Sequence, residues 1–229
     1  MAGRGGEGPQ GFAGGAPAPA AEPPRDAAAR FAPYARGAGL AAGPSLRVSA
    51  SDQQDVLVLR FDRDLTEQSR LEYADLRGPL ARDFGEDVAF GRSGGVFVAG
   101  YSNYDPPGVS GFLDSALLLR VNSAGTAAAW SQRYQPSGVG AVAERLVLDG
   151  SDSLYVGGYL ETPRNEDDMM LLKYSAAGVK KWAAGWHDTG RDDDWVSGLA
   201  LGGTNALYAA GTGIAKGGFE QSALLRVNR

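Results

Sequence analysis

Short apolar runs of four or five residues, bounded by turn residues, recur along the chain from about residue 31. They are rich in Val, Leu, Tyr and Phe, and the segments between them are rich in Gly, Asp, Asn and Ser, as at 93–95 and 149–152. Such runs predict β-strands joined by turns, and no window shows the sustained 3.6-residue period of an amphipathic helix. Some runs, such as LLL at 117–119, are apolar at consecutive positions, so these strands should be covered on both faces.

The apolar runs belong to a repeated unit. In each unit one run ends in glycine, a loop follows, and a second run ends in a cation. The glycine-ended runs are GLAAG at 39–43, VFVAG at 96–100, LYVGG at 154–158 and LYAAG at 207–211. The cation-ended runs are VLVLR at 56–60, ALLLR at 116–120, MMLLK at 169–173 and ALLR at 223–226. Equivalent positions recur every 53 to 60 residues, and a fixed period of this size indicates stacked repeat units or a propeller.

Each period has room for four strands of about five residues with their loops. A repeated four-stranded sheet that is buried on both faces is a propeller blade. The sequence therefore predicts an all-β chain, a β-propeller of about four four-stranded blades in a closed, open or incomplete ring. A β-sandwich is the alternative, but it does not account for the constant period.

The predicted domain covers 31–229, in units of about 31–80, 81–136, 137–190 and 191–229. Residues 1–30 are rich in Gly, Ala and Pro, with Phe12 the only bulky side chain besides Met1. Such a segment buries too little apolar surface to offset its backbone entropy. We expect a flexible leader there, with a partner-binding tail as the alternative.

Two units depart from the pattern. Phe31, Pro33 and Tyr34 stand where the first strand of the first unit should be, and proline suits only the edge or the start of a strand. The last unit reaches Arg229 directly after its third strand. We therefore expect the edge of that strand to be exposed or to pair with a partner, including a second copy of the chain.

Glycine and tryptophan recur at fixed places in the units. The glycine after each second strand indicates a sharp bend or a close approach of another backbone. Trp130 and Trp182 follow the cations of their units by nine or ten residues. We expect both rings to wedge between adjacent blades as core residues, so that Trp182→Ala costs about 3–5 kcal/mol.

The repeat resembles the SBBP-type β-propeller repeat of bacteria. That repeat has a second strand of the form VYVAG, then an Asp-led apolar strand, then Gly and Trp. The matching segments are VFVAGYS at 96–102, LYVGGY at 154–159, DMMLLKY at 168–174 and GVKKW at 178–182. The resemblance covers about residues 36–229 and implies a secreted or surface-associated module that is often non-catalytic. It carries no catalytic residues over to this chain.

Charge and composition narrow the function classes. The chain has 22 basic and 27 acidic residues, a net charge of −5, so it lacks the basic footprint of a nucleic-acid binder or of a protein that binds anionic membranes. Cysteine is absent, which excludes disulfides, thiolate metal sites and a cysteine nucleophile. No transmembrane helix is expected, and the N-terminal residues lack the apolar core of a secretory signal. The resemblance alone suggests an extracellular or cell-surface location.

Three acids are candidates for a ligand-binding site at the axis of the ring. Asp87, Glu144 and Asp194 each stand just before the predicted first strand of a unit, and first strands line the central channel of a propeller. Together the three could bind a cation or act as an acid–base site of the kind that glycoside hydrolysis requires. Alternatively, each carboxylate accepts hydrogen bonds from the backbone of a neighbouring blade.

A second group of candidates lies in a loop that is longer than its counterparts. Tyr101, Tyr104 and Asp105 could contact a carbohydrate or a peptide, since binding loops are often carried by rigid scaffolds; a plain surface insertion is the alternative. The acidic runs at 165–168 and 191–194 are expected to be charged loops, with a calcium site as the alternative. The single histidine, His187, is expected on the surface. No catalytic residue, metal ligand or cofactor is assigned.

The favoured function is a non-enzymatic propeller that mediates protein or glycan interaction or structural assembly. The alternative is an enzyme, either a carbohydrate hydrolase or lyase or a quinoprotein-like oxidoreductase. Two carboxylates within about 5–10 Å of each other in a deep channel would favour hydrolysis, whereas a channel filled by apolar side chains would favour a scaffold.

Overall fold

The all-β prediction is confirmed. A computed structural model describes fifteen strands and no helix within residues 30–33, 39–46, 54–74, 81–104, 113–136, 138–162, 166–187, 193–203, 205–215 and 219–228. The expected leader, except for Arg30, lies outside these residues, as do Tyr34 and Asp105.

The strands form four antiparallel sheets that follow one another along the chain, each a meander in sequence order. Sheet 1 consists of β1 (Arg30–Pro33), β2 (Gly39–Leu46), β3 (Gln54–Phe61) and β4 (Glu67–Tyr73). Sheet 2 consists of β5 (Arg82–Phe90), β6 (Val96–Tyr104), β7 (Leu113–Val121) and β8 (Ala128–Tyr134). Sheet 3 consists of β9 (Gly140–Leu148), β10 (Leu154–Glu161), β11 (Asp167–Tyr174) and β12 (Lys180–Trp186). Sheet 4 has three strands, β13 (Trp195–Gly202), β14 (Ala206–Ala215) and β15 (Phe219–Asn228).

Several strands are longer than the apolar runs that predict them. β6 continues past Gly100 to Tyr104 and pairs with the polar start of β7, and β5 begins at Arg82. The backbone ladder needs no apolar side chains, so it extends beyond the buried stretch that the sequence marks. In sheet 1, Pro33 is the last residue of the edge strand β1, where a missing N–H is tolerated.

The recurring glycine allows two backbones to approach closely at a β-bulge. A Cβ built on Gly158 would lie 1.9 Å from the carbonyl oxygen of Val142 on β9, and the register between β9 and β10 shifts at this point. The corresponding glycines of sheets 2 and 4 meet the first strand in the same way, at 1.8 and 2.0 Å respectively: Gly100 and Gly211. Close backbone approach is therefore the reason for the repeated glycine.

Apolar side chains fill the space between successive sheets. In β7, Leu117 and Leu119 face sheet 1, whereas Leu118 faces sheet 3, so the strand is covered on both faces, as its consecutive leucines predict. The first strands also meet, because β5 contacts β1 and β9, and β9 contacts β13. We call the side of each sheet that is turned toward the following sheet its forward face.

Side chains on the forward faces bind the next sheet directly. Arg60 donates from Nη1 to the carbonyl oxygen of Ser123 at 3.1 Å, and Arg120 donates in the same way to Ala176 at 3.3 Å. Trp130 donates from Nε1 to the same Ala176 oxygen at 3.0 Å. In sheets 1 and 2 the repeated cation thus holds neighbouring sheets together, a role that the pattern of the sequence did not indicate.

Both tryptophans pack between sheets, as expected. The expectation that they are core residues is wrong, because both side chains are only half-buried. Trp130 packs edge-to-face against Phe97 at 6.1 Å between ring centroids, and Trp182 lies 6.4 Å from Tyr155. Each ring stands on an outer strand, where one side of it stays exposed to solvent. The cost of Trp182→Ala should accordingly fall below the 3–5 kcal/mol of a core aromatic residue.

Candidate functional site

Polar side chains gather where the second strand of a sheet ends and the third begins. In sheet 2, Asn103 lies opposite Asp114 across β6 and β7, and its Nδ2 donates to Asp114 Oδ1 at 2.6 Å. In sheet 3 the same register position pairs Glu161 with Asp167. Two carboxylates directly opposite each other repel, so this pair of sheet 3 needs a proton or a second partner.

The second partner comes from the neighbouring sheet. Glu161 and Asp114 share a carboxyl–carboxyl hydrogen bond that bridges sheets 3 and 2. Burial, together with the charges of Asp114 and Asp167, raises the pKa of Glu161 to about 7. Burial also raises the pKa of Asp114, although the hydrogen bonds from Asn103 and Glu161 oppose that effect. This bridge therefore holds a proton near neutral pH.

Asp167 extends the acidic cluster toward sheet 4. Its backbone N–H donates to Asp193 Oδ1 at 3.1 Å, and its carbonyl oxygen accepts from the N–H of Asp194. Burial, with the charges of Asp193, Asp168 and Glu144, raises the pKa of Asp167 to about 6. Asp114, Glu161 and Asp167 thus form one half-buried group that touches three sheets; we call it the acidic cluster.

Two tyrosines lie within electrostatic range of the acidic cluster. Burial, followed by the charges of Glu86 and Asp114, raises the pKa of Tyr101 to about 12. Burial also raises the pKa of Tyr159, with the charge of Asp167 as the next cause. The Tyr101 ring stacks on Phe84 at 4.5 Å between centroids. Both hydroxyls therefore stay protonated and can donate to an acceptor.

The three acids predicted at the axis do not occupy equivalent positions. Asp87 lies inside β5, one residue after its bulge, whereas Glu144 is the bulge residue of β9. Asp194 is buried just before β13 and corresponds in register to Asp83. The sequence reasoning misaligned them because a bulge inserts one residue without leaving a mark in an apolar pattern.

Asp87 accepts a hydrogen bond from the backbone of the neighbouring sheet, which is the structural role that the sequence analysis gave as the alternative to ligand binding. Its Oδ2 accepts from the backbone N–H of Leu146 on β9 at 2.9 Å, and its Oδ1 accepts from the N–H of Val88. Arg145, at the same register position of β9, donates from Nε to the carbonyl oxygen of Ser197 on β13 at 2.8 Å. These two side chains join neighbouring first strands.

The remaining predicted residues fall into three groups. Tyr101 and Glu144 belong to the surroundings of the acidic cluster. Tyr104 lies at the end of β6, and its hydroxyl donates to Gln135 Oε1 at 3.4 Å; Asp105 lies outside the described residues. His187 is exposed.

The acidic cluster itself was missed by the sequence reasoning. A signal was present, because Asp114 and Asp167 both stand two residues before the second apolar run of their units. Glu161 gave no such signal, since its counterpart in sheet 2 is Asn103. Only the packing of sheet 2 against sheet 3 brings Glu161 to Asp114.

The chemistry that this arrangement supports is proton storage and hydrogen-bond exchange. A hydrogen-bonded pair of carboxyl groups lies closer together than the about 5–10 Å separation that glycoside hydrolysis uses. Within the described part of the chain, no group of three acidic or histidine side chains is arranged to hold a metal ion. The same residues include no helix that is long and apolar enough to cross a membrane.

Comparison with known proteins adds no assignment. No family model matches the chain, and no curated protein matches it significantly in sequence.

Proposed function

We propose that the chain is a non-catalytic β-propeller module of the SBBP type that acts in protein assembly. Its four successive sheets would be blades around an axis lined by β1, β5, β9 and β13. The contacts between neighbouring first strands support this arrangement, as do the side-chain hydrogen bonds of Asp87 and Arg145 that join them. A two-layer sandwich has no place for the same contact repeated from one sheet to the next.

The observation that carries the proposal is an uncovered forward face on sheet 4. Leu118 of sheet 2 and Leu171 of sheet 3 occupy equivalent positions and are 0% and 3% exposed, whereas Leu224 of sheet 4 is 71% exposed. Tyr208 is half-buried, although its equivalents Phe97 and Tyr155 are fully buried. The face has the composition of a buried interface and stays open.

The repeat itself indicates what covers such a face. The forward face of sheet 2 is covered by the first strand of sheet 3 through Ala141, Ala143 and Leu146. The forward face of sheet 4 carries Tyr208 and Leu224 at the equivalent positions, with a shallow apolar cleft of about 250 Å³ beside them. Its partner is therefore a further β-sheet of the same repeat type, whose first strand presents small apolar side chains.

A fusion that supplies such a sheet tests the proposal. A copy of residues 175–229 joined after Val227 would add a fourth strand to sheet 4 and a following sheet. Leu224→Asp should then cost about 3 kcal/mol, because it places an unpaired charge in an interface, whereas in the unfused chain at an exposed position it should cost less than about 0.5 kcal/mol. Urea unfolding in dilute solution measures both values.

Leu65→Asp is the matched control, since Leu65 is 76% exposed and lies in the hairpin between β3 and β4 of sheet 1. It should have the same small effect in both chains. The proposal is wrong if Leu224→Asp is equally mild with and without the added sheet.

Carbohydrate hydrolysis is the second candidate function, because Glu161 holds a proton near neutral pH and a general acid needs that property. On this hypothesis Glu161 would donate to the leaving group and Asp114 would modulate its pKa. Turnover of a panel of chromogenic glycosides, abolished by both Glu161→Gln and Asp114→Asn, would support hydrolysis over the scaffold function. Turnover that both variants retain would exclude the acidic cluster as its source.

A further inference from the structure

Within the described residues β15 has a strand partner on one side only. β8 lies beside β7 in sheet 2 and β12 lies beside β11 in sheet 3, whereas the order of sheet 4 ends at β15. The strand is ten residues long, and a long edge of this kind presents a row of N–H and C=O groups that can pair with another strand.

Apolar surface accompanies this open edge. Phe219 at the start of β15 is 73% exposed. Two clefts of about 230 and 250 Å³ lie along the strand, and both are bordered by Trp186 of β12 on one side and Leu225 on the other. The space beside β15 is thus open in sheet 4, and it is apolar near Leu171 and Val227.

The charges along β15 favour a second copy of the same strand. Glu220 and Arg226 are exposed, lie on the same face of the strand and are six residues apart. If two β15 strands pair antiparallel about a two-fold axis through Ala223, Glu220 of each lies directly opposite Arg226 of the other. The same register places Phe219 opposite Val227.

We propose that β15 is a homodimer interface, in which the β15 edges of two copies join in antiparallel register centred on Ala223. Two sheets of three strands then become one continuous sheet of six. The contact is isologous, since the same residues are used by both copies, and it closes at two copies. The dimer contact uses the backbone edge of β15, whereas the proposed function uses the forward face of sheet 4. The homodimer proposal can therefore be wrong while the proposed function is right, and the reverse.

Charge reversal tests the register. Arg226→Glu alone and Glu220→Arg alone each place two like-charge pairs across the interface, and each should weaken the dimer at least about ten-fold. The double variant restores complementarity and should return the dissociation constant to within about three-fold of the original. Sedimentation over about 1–200 µM protein measures these constants, and circular dichroism confirms that all variants are folded.

The absence of native cysteine permits a second, independent test. Ala223→Cys places two thiols across the two-fold axis with Cα atoms about 4.5–5.5 Å apart, within the span of a disulfide. Gln221→Cys is the matched control on the same face of the strand, with Cα atoms about 13 Å or more apart in this register. Mild oxidation should cross-link the first variant as a dimer and leave the second monomeric.

Other occupants of the edge give different results. A strand from residues 1–29 would leave the protein monomeric at every concentration, with neither cysteine variant cross-linked. The proposal is overturned by a monomer throughout the concentration series, by a dimer indifferent to Arg226→Glu, or by equal cross-linking of Cys variants at 221 and 223.

Discussion

Replacement of Glu161 by glutamine should remove a pH dependence from the stability of this fold. In the folded protein the pKa of Glu161 is raised from 4.5 to about 7. The folded state therefore binds more protons than the unfolded state between these values. The stabilising contribution is complete below pH 4.5, declines as the pH rises, and is lost above about pH 7.

The size of this effect follows from the pKa. At about 1.36 kcal/mol per pH unit, the difference between 4.5 and 7 corresponds to an upper limit of about 3 kcal/mol. Glu161 is only half-buried, so solvent screening reduces the expected loss to about 1–2 kcal/mol. Glutamine at position 161 still donates a hydrogen bond to Asp114 but carries no charge at any pH.

Urea denaturation at pH 5, 6, 7 and 8 measures the effect. The wild-type protein should lose about 1–2 kcal/mol relative to Glu161→Gln between pH 5 and pH 8. Glu166→Gln, which makes the same change of charge five residues along the chain, should run parallel to the wild type. A constant difference between wild type and Glu161→Gln across this range would refute the shared-proton bridge.

Three further substitutions test the repeat architecture by thermal or urea unfolding. Gly158→Ala should cost about 3 kcal/mol, because its Cβ would meet the Val142 carbonyl, whereas Gly150→Ala, with open space around it, should be nearly neutral; equal effects would contradict the close-approach argument. Asp152 accepts backbone hydrogen bonds from Arg92 at 2.6 Å and Ser93 at 3.0 Å across two sheets. Burial alone would raise the pKa of Asp152, but a hydrogen bond from the Ser93 side chain, these two backbone bonds and the charge of Arg120 together hold it below its ordinary value. Asp152→Ala should therefore cost about 2 kcal/mol at pH 7 and progressively less as the pH falls through that lowered pKa, and a loss independent of pH would argue against the bonds. Trp130→Phe should cost about 1 kcal/mol through the lost hydrogen bond to Ala176, and no loss would show that this bond adds nothing to stability.

Much of the fold could be read from the sequence, because its signals are local. The glycine-ended and cation-ended runs coincide with the second and third strands of each unit, and consecutive apolar positions such as Leu117 and Leu118 correctly indicated burial on both faces. The prediction of three strands in the last unit agrees with the three described strands of sheet 4. What the sequence could not show was the exact length of each strand, since polar residues extend the ladders at Tyr101 to Tyr104.

The candidate site was predicted only in part. Tyr101 and Glu144 do lie near a cluster of perturbed carboxyl groups, but Asp87 is engaged with the backbone of Leu146. Glu161 and Asp114, the pair at the centre of the cluster, are 47 residues apart and come from different units. Two residues of that kind have no shared local signal, so no pattern along the chain could join them.

By itself, the sequence determined that the described chain is built of strands, which apolar runs form their buried parts and how often the unit recurs, because these follow from side-chain type and spacing within a few residues. The tertiary structure decided what each repeated position does. It places Arg60 and Arg120 where each donates a hydrogen bond to the next sheet. It also brings the carboxyl groups of Glu161 and Asp114, from different sheets, into one hydrogen bond. It also left Leu224 exposed where its equivalents are buried. Those outcomes depend on contacts between sheets. The free energy of such a contact depends on both surfaces that meet, and these come from segments that are far apart in the sequence.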